Sequence, residues 1–158
     1  MSKSDAFEND LLRLIFNAVA IANIGDNAAT SPLTQLFVSL HTADPGEAGT
    51  EATNETAYTG YARMGVARTA GGWTVTANSV SPVANVDFGI CTALPGANLT
   101  HFAVGVAASG ATKVLYKGAL SAAIPMAVST IPRLQTATAI TEDCSHGPET
   151  QLHGAGRQ

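Results

Sequence analysis

LFVSLHTADPGEAGTEATNETAYTGYARMGVAR, residues Leu36 to Arg68, is the stretch whose reading decides the fold. Leu36, Val38 and Leu40 alternate with Phe37, Ser39 and His41, a two-residue period that sends the two sets of side chains to opposite faces of a sheet. Asp44-Pro45-Gly46 ends this strand: proline fixes φ and lacks an amide hydrogen, glycine permits positive φ, and the Asp side chain can close a local turn. Residues 47–57 are acidic, threonine-rich and poor in large apolar groups, so they read as a solvated loop. The chain resumes as a strand from Tyr58. Two strands joined by a long polar excursion are a β signature.

Outward from this stretch, residues 5–23 read as the one substantial helix. Asp5 and Glu8 have the form of a capping box, and Phe7, Leu11, Leu14, Ile15, Ala18, Val19 and Ala22 recur at helical spacing. The apolar face is expected to pack on the domain's own sheet, with docking in a partner's groove as the alternative. Ile24-Gly25-Asp26-Asn27 reads as its end. Strands are predicted at 35–42, 58–69, 72–80, 84–89, 99–108, 112–120, 123–128 and 132–140, separated by turn-formers. Gly71-Gly72 and Ser109-Gly110-Ala111 read as hairpin turns. About eight closely spaced strands with no helix between them predict an all-β protein, a jelly-roll-like β-sandwich of two four-stranded sheets with one N-terminal helix. The expected core is Leu36, Val38, Leu40, Met64, Val66, Trp73, Val75, Phe88, Phe102, Val104, Val106, Val114, Tyr116, Leu120 and Leu134, with Trp73 the largest contributor.

The chain has 158 residues, which predicts one domain over residues 1–143. Residues 144–158, CSHGPETQLHGAGRQ, are polar, glycine-rich and without periodicity, and read as a flexible or partner-docked tail. Charged residues make up 13% of the chain against a usual share of about 25%, a composition suited to a β protein whose surface is covered by neighbours. The formal net charge is −4 and no basic cluster exists to neutralise a run of phosphates, which argues against nucleic acid as a partner. Asp5, Glu8 and Asp10 follow Lys3, and Arg13, Asn17 and Asn23 break the apolar run, so neither a signal peptide nor a membrane span is predicted and synthesis in the cytoplasm is expected. Cys91 and Cys144 lack paired spacing and read as free thiols, Cys91 in the core.

The residues that could carry chemistry do not combine into a site. His41, His101, His146 and His153 show no metal-ligand spacing. His41 with Asp44 has no nucleophile motif nearby, and His41 reads as a strand-end side chain that hydrogen-bonds its own loop. Asp44, Glu47, Glu51 and Glu55 lack the order of a calcium loop and read as solvated. The glycines form no phosphate-binding pattern. Arg63 and Arg68, an odd number of residues apart, are placed on opposite faces of one strand and are expected at the surface, with an acidic partner across an interface as the alternative. No enzyme, cofactor or metal is predicted.

The segments LHTADPGEAG (40–49), NETAYTGYAR (54–63) and VARTAGGWTV (66–75) resemble a family of small virion proteins of tailed bacteriophages, often labelled tail-fibre proteins. The resemblance runs over residues 5–143, from the opening LLRLIFNAVAIANIGDNAATSPLTQLFVSLHTADPG to the closing Thr141-Glu142-Asp143. Among proteins of this kind is a capsid cement protein, a jelly-roll that clamps the major capsid protein shell from outside. The resemblance therefore implies a structural virion protein on the capsid exterior, binding the major capsid protein and other copies of itself as a dimer or trimer. Loop 43–57, the N-terminal helix and the C-terminal tail are the expected contacts. A tail or tail-fibre component is the alternative. A carbohydrate-binding jelly-roll is a further one, which would need Trp73, Tyr58 and Tyr61 as exposed platforms.

Overall fold

The computed structural model describes residues 5–21 and 32–142. It contains one helix, α1 (Asp5–Asn17), and nine strands: β1 (Gln35–His41), β2 (Met64–Ala67), β3 (Trp73–Thr76), β4 (Ser79–Pro82), β5 (Val86–Asp87), β6 (Leu99–Gly105), β7 (Val114–Ile124), β8 (Arg133–Leu134) and β9 (Ile140–Thr141). They form antiparallel sheets of order β2-β1-β6-β7, β3-β4-β9 and β5-β8. The fold is an all-β sandwich with one N-terminal helix. Its second layer is divided between two small sheets where a single four-stranded one was expected.

The alternation read from β1 sets the layers. Val38 pairs with Val104 and Leu40 with Phe102, all buried on the inner face. Across from them stand Trp73, Val80, Val86, Phe88 and Leu134. Trp73, 2% exposed, is a core residue, and Cys91 is buried. Val80, Val86 and Leu99 join the core without having been expected there.

Several predicted boundaries move for identifiable reasons. The expected strand 72–80 is a hairpin, β3 and β4, turning at Ala77-Asn78 with Ala77 at φ 52. Gly71-Gly72 is not a hairpin turn, because β2 and β3 belong to different sheets. It is a corner between them, where a Cβ on Gly72 would lie 2.0 Å from the Ala67 carbonyl oxygen. Ser109-Gly110 does connect the hairpin β6–β7, with Gly110 at φ 88. Residues 112–120 and 123–128 contribute a single strand, β7, and of 132–140 only two short ends are paired. Only the last part of 58–69 is strand, since Thr59 bridges Ala93 instead.

The helix ends at Asn17 rather than continuing to residue 23. Ala18 takes a left-handed φ of 56, and the Val19 amide reaches back to the Arg13 carbonyl at 3.1 Å. Among its described side chains the buried ones are Glu8, Leu12 and Phe16, one every four positions, and the helix lies against β3 and β4. LLRLIF is apolar almost all round, so periodicity alone could not choose this stripe over Leu11, Leu14 and Ile15. The Asp5 side chain of the capping box, Ile24 to Asn27, Cys144, His146, His153 and the tail 144–158 lie outside the described residues.

Candidate interaction site

Ser39 and His41 project from β1 opposite to Val38 and Leu40, and both are fully buried. Their face of the sheet is covered by the acidic loop. Asp44 closes the expected turn, its Oδ1 accepting the Gly46 amide at 2.8 Å. The loop then pairs with the residues just before β7, where the Glu51 amide donates to the Thr112 carbonyl at 2.9 Å. It rejoins the end of β1 through Thr56 N–H to Leu40 O at 3.0 Å and Thr42 N–H to Asn54 O at 2.9 Å. Under the loop, His41 Nδ1 donates to the Thr53 carbonyl and Nε2 accepts from the Ser39 hydroxyl, each at 2.9 Å. Burial holds the His41 pKa below its ordinary value, so the imidazole is neutral at pH 7. The strand-end histidine hydrogen-bonds its own loop, as expected.

Arg63 is the centre of the site. Its Nε and Nη2 donate to the two oxygens of Glu55, each at 2.7 Å, a bidentate pair. Nη2 also donates to the Gly110 carbonyl at 2.8 Å. Nη1 faces Glu51 Oε2 at 3.2 Å, the Ala107 carbonyl at 3.1 Å and the Thr112 hydroxyl at 3.2 Å. Thr112 donates in turn to Glu51 Oε2 at 2.5 Å. The Tyr61 hydroxyl donates to Glu55 Oε1 at 2.8 Å and accepts the Leu40 amide at 3.1 Å. One guanidinium thus ties together the acidic loop, the β6–β7 hairpin and the segment before β2.

The electrostatics follow from burial. Glu51 is 0% exposed, and desolvation pushes its pKa up against the opposing pull of Thr112 and Arg63. Its carboxyl group rests directly on β6, where a Cβ on Gly105 would lie 1.9 Å from the carboxyl carbon. Hydrogen bonding to Glu55 raises the Arg63 pKa further. Burial raises the Tyr61 phenol, and that of Tyr58 to about 12.

Two sequence expectations are corrected here. Glu51 and Glu55 are not solvated, and Arg63 is not at the surface: both acids turn inward because the guanidinium offers them charge-assisted hydrogen bonds away from water. The other half of the acidic loop is exposed, with Asp44 and Glu47 both 3.0 Å from Lys117 on β7. Arg68 diverges from Arg63 and serves the helix instead, donating to the carbonyls of Leu14 and Ile15 at 2.5 Å. The helix has no basic residue in its own last turn, so Arg68, directly after β2, supplies the cation its C-terminus favours. The cue for the cluster was an Arg in a chain with only eight basic residues, placed shortly after two glutamates four apart.

This arrangement presents a surface and spends its polar groups internally. Glu55 and Arg63 line a groove of about 510 Å³, yet their charged atoms are already engaged with one another. No three His, Cys, Asp or Glu side chains converge as metal ligands among the described residues. Trp73 and Tyr58 are buried, and Tyr61 stacks on Phe88, so these rings form no exposed sugar platform. No described helix is long and apolar enough to cross a membrane. What faces outward is the loop's far side, Asp44, Glu47, Ala48, Ala52 and Asn54, tied from beneath by the hydrogen bonds of Arg63 to Glu51 and Glu55.

Residues 2–141 match the family described as Podophage GP4 fiber I protein gp80. No curated protein matches the chain.

Proposed function

The chain belongs to the Podophage GP4 fiber I protein gp80 family, and from that premise we propose that this phage structural protein is a non-enzymatic component of the virion's fibre apparatus. The observation that carries this reading is the Arg63 cluster. It spends one cation and two carboxylates on fixing a surface loop, which gives a partner a preorganised contact and lowers the ordering cost of assembly. Within that contact Asp44 and Glu47 both pair with Lys117 of β7. The helix is spoken for by the chain's own sheets, which makes loop 43–57 the foremost of the expected contacts that lie within the described residues.

The second reading is a capsid cement protein that binds the major capsid protein from outside. The segments 40–49, 54–63 and 66–75 favour it, since they resemble a group that includes such a protein. Cement acts by mass action: many copies stabilise the shell because they bind assembled subunits and not free ones. The two readings differ in stoichiometry. Quantitative mass spectrometry of purified virions against the major capsid protein is expected to give a small number of copies, retained on tails and lost from tailless heads. A ratio near one, retained on tailless heads, would replace the fibre reading with cement.

A further inference from the structure

His41 lies where the main sheet meets its roof, and its ring is bonded so that only the neutral form fits. The Thr53 carbonyl, 2.9 Å from Nδ1, only accepts, so Nδ1 carries the ring hydrogen and Nε2 is left to accept the Ser39 hydroxyl. A proton added at Nε2 turns that second bond round. The ring becomes the donor, and the Ser39 hydroxyl hydrogen loses its acceptor. Among the described residues the Ser39 side chain has no other hydrogen bond, and both residues are 0% exposed, so no solvent replaces what is lost. Burial is also the largest obstacle to a charge on the ring. Arg63, from the segment before β2, and His101, directly across the ladder on β6, add to it. The Thr53 carbonyl and Glu55, both from the loop, favour the charge, but the Glu55 oxygens are already held by Arg63.

We propose that His41 is an acid-sensitive latch: a proton on its ring loosens loop 43–57 from the outer face of the main sheet while the sandwich beneath stays folded. Lifting the loop gives the imidazolium water and frees the Ser39 hydroxyl. Parting the two layers gives it nothing, because Val38 and Leu40 point the other way. The sign follows from the lowered folded-state pKa: the latch is closed above the free value of 6.5 and weakens as pH falls below it. One such group changes the ratio of open to closed loop by at most about tenfold per pH unit. The Arg63 cluster resists the opening, and Glu51, whose pKa burial raises, acts in the opposite sense. The latch is a property of the loop itself and holds for fibre and cement alike.

The test is amide hydrogen exchange on the full chain at about pH 7.5 and about pH 5, with the intrinsic chemical rates divided out. In wild type the protection of the Thr42, Thr53 and Thr56 amides is expected to fall about tenfold between the two, while the β1–β6 ladder keeps its own. His41→Asn retains a donor for the Thr53 carbonyl but does not titrate, and is expected to show no such fall. Glu51 is present in both chains, so the difference between them isolates His41. Should the variant fold poorly, as judged by the emission of the buried Trp73, wild type alone decides through an NMR titration of the His41 ring. Its midpoint is expected below 6.5, at the pH where the loop amides lose protection. The proposal is overturned by equal loop protection at the two pH values, by a fall of the same size in folded His41→Asn, by a ladder that loosens in step with the loop, or by a ring midpoint at or above 6.5.

Discussion

At the scale of single residues, Arg63 is the side chain on which most depends. A buried ion pair gains little over a well-packed apolar substitute, but removing one partner leaves the other charged and desolvated. Arg63→Ala strands two carboxylates at once, one of them wholly buried, and is expected to cost about 3–5 kcal/mol in chemical denaturation. Arg63→Lys is expected to recover only part of this, since an ammonium cannot serve Glu55 in bidentate fashion while also reaching Gly110 and Ala107. Gly105→Ala tests the same cluster from β6, where the added methyl meets the Glu51 carboxyl group and must displace it.

The buried groups also give opposed pH responses. The folded-state pKa of His41 is lowered, so its contribution is present above its unfolded value of 6.5 and is lost as pH falls below it. Wild type is therefore expected to lose stability on mild acidification, and His41→Asn to lack that slope. The folded-state pKa of Glu51 is raised, so its favourable contribution is full below the unfolded value of 4.5 and is lost as pH rises through the folded value. Glu51→Gln is expected to remove this second limb. Denaturation midpoints measured across pH check both signs.

At the scale of elements, the helix terminus offers a clean test. Ala18 holds a left-handed conformation that costs a residue with a Cβ, so Ala18→Gly is expected to stabilise the protein by about 1 kcal/mol. Arg68→Ala removes the cation from the carbonyls of Leu14 and Ile15 and is expected to cost about 2 kcal/mol. Thermal melts of the two variants should move in opposite directions. These elements also show what the sequence could and could not disclose. The period of two in β1 and the Asp44-Pro45-Gly46 turn are local signals, and both were legible. The helix end was not, because Ala18 lacks the glycine that usually marks such a cap and its cation comes from fifty residues away. Nor was the inward turn of Glu51 and Glu55, since a charged loop looks solvated until the long-range partner that desolvates it is placed.

At the scale of the whole molecule, the main sheet is enclosed on two sides by different means. The inner face is sealed by apolar packing against the smaller sheets and the helix. The outer face, where Ser39, His41 and Glu51 lie, is roofed by the loop through hydrogen bonds and one guanidinium. The roof therefore depends on Arg63, whereas the inner layer does not. Amide hydrogen exchange separates the two cases. In wild type the amides of Thr42, Glu51, Thr53 and Thr56, each bonded to a backbone carbonyl, are expected to be protected nearly as well as those of β1 and β6. In Arg63→Ala the loop amides are expected to exchange fast while those of the β1–β6 ladder keep most of their protection. If the loop already exchanges freely in wild type, the rigid contact surface inferred for it is wrong. If loop and ladder lose protection together in the variant, roof and core unfold as one unit, and the guanidinium is a support of the entire sandwich.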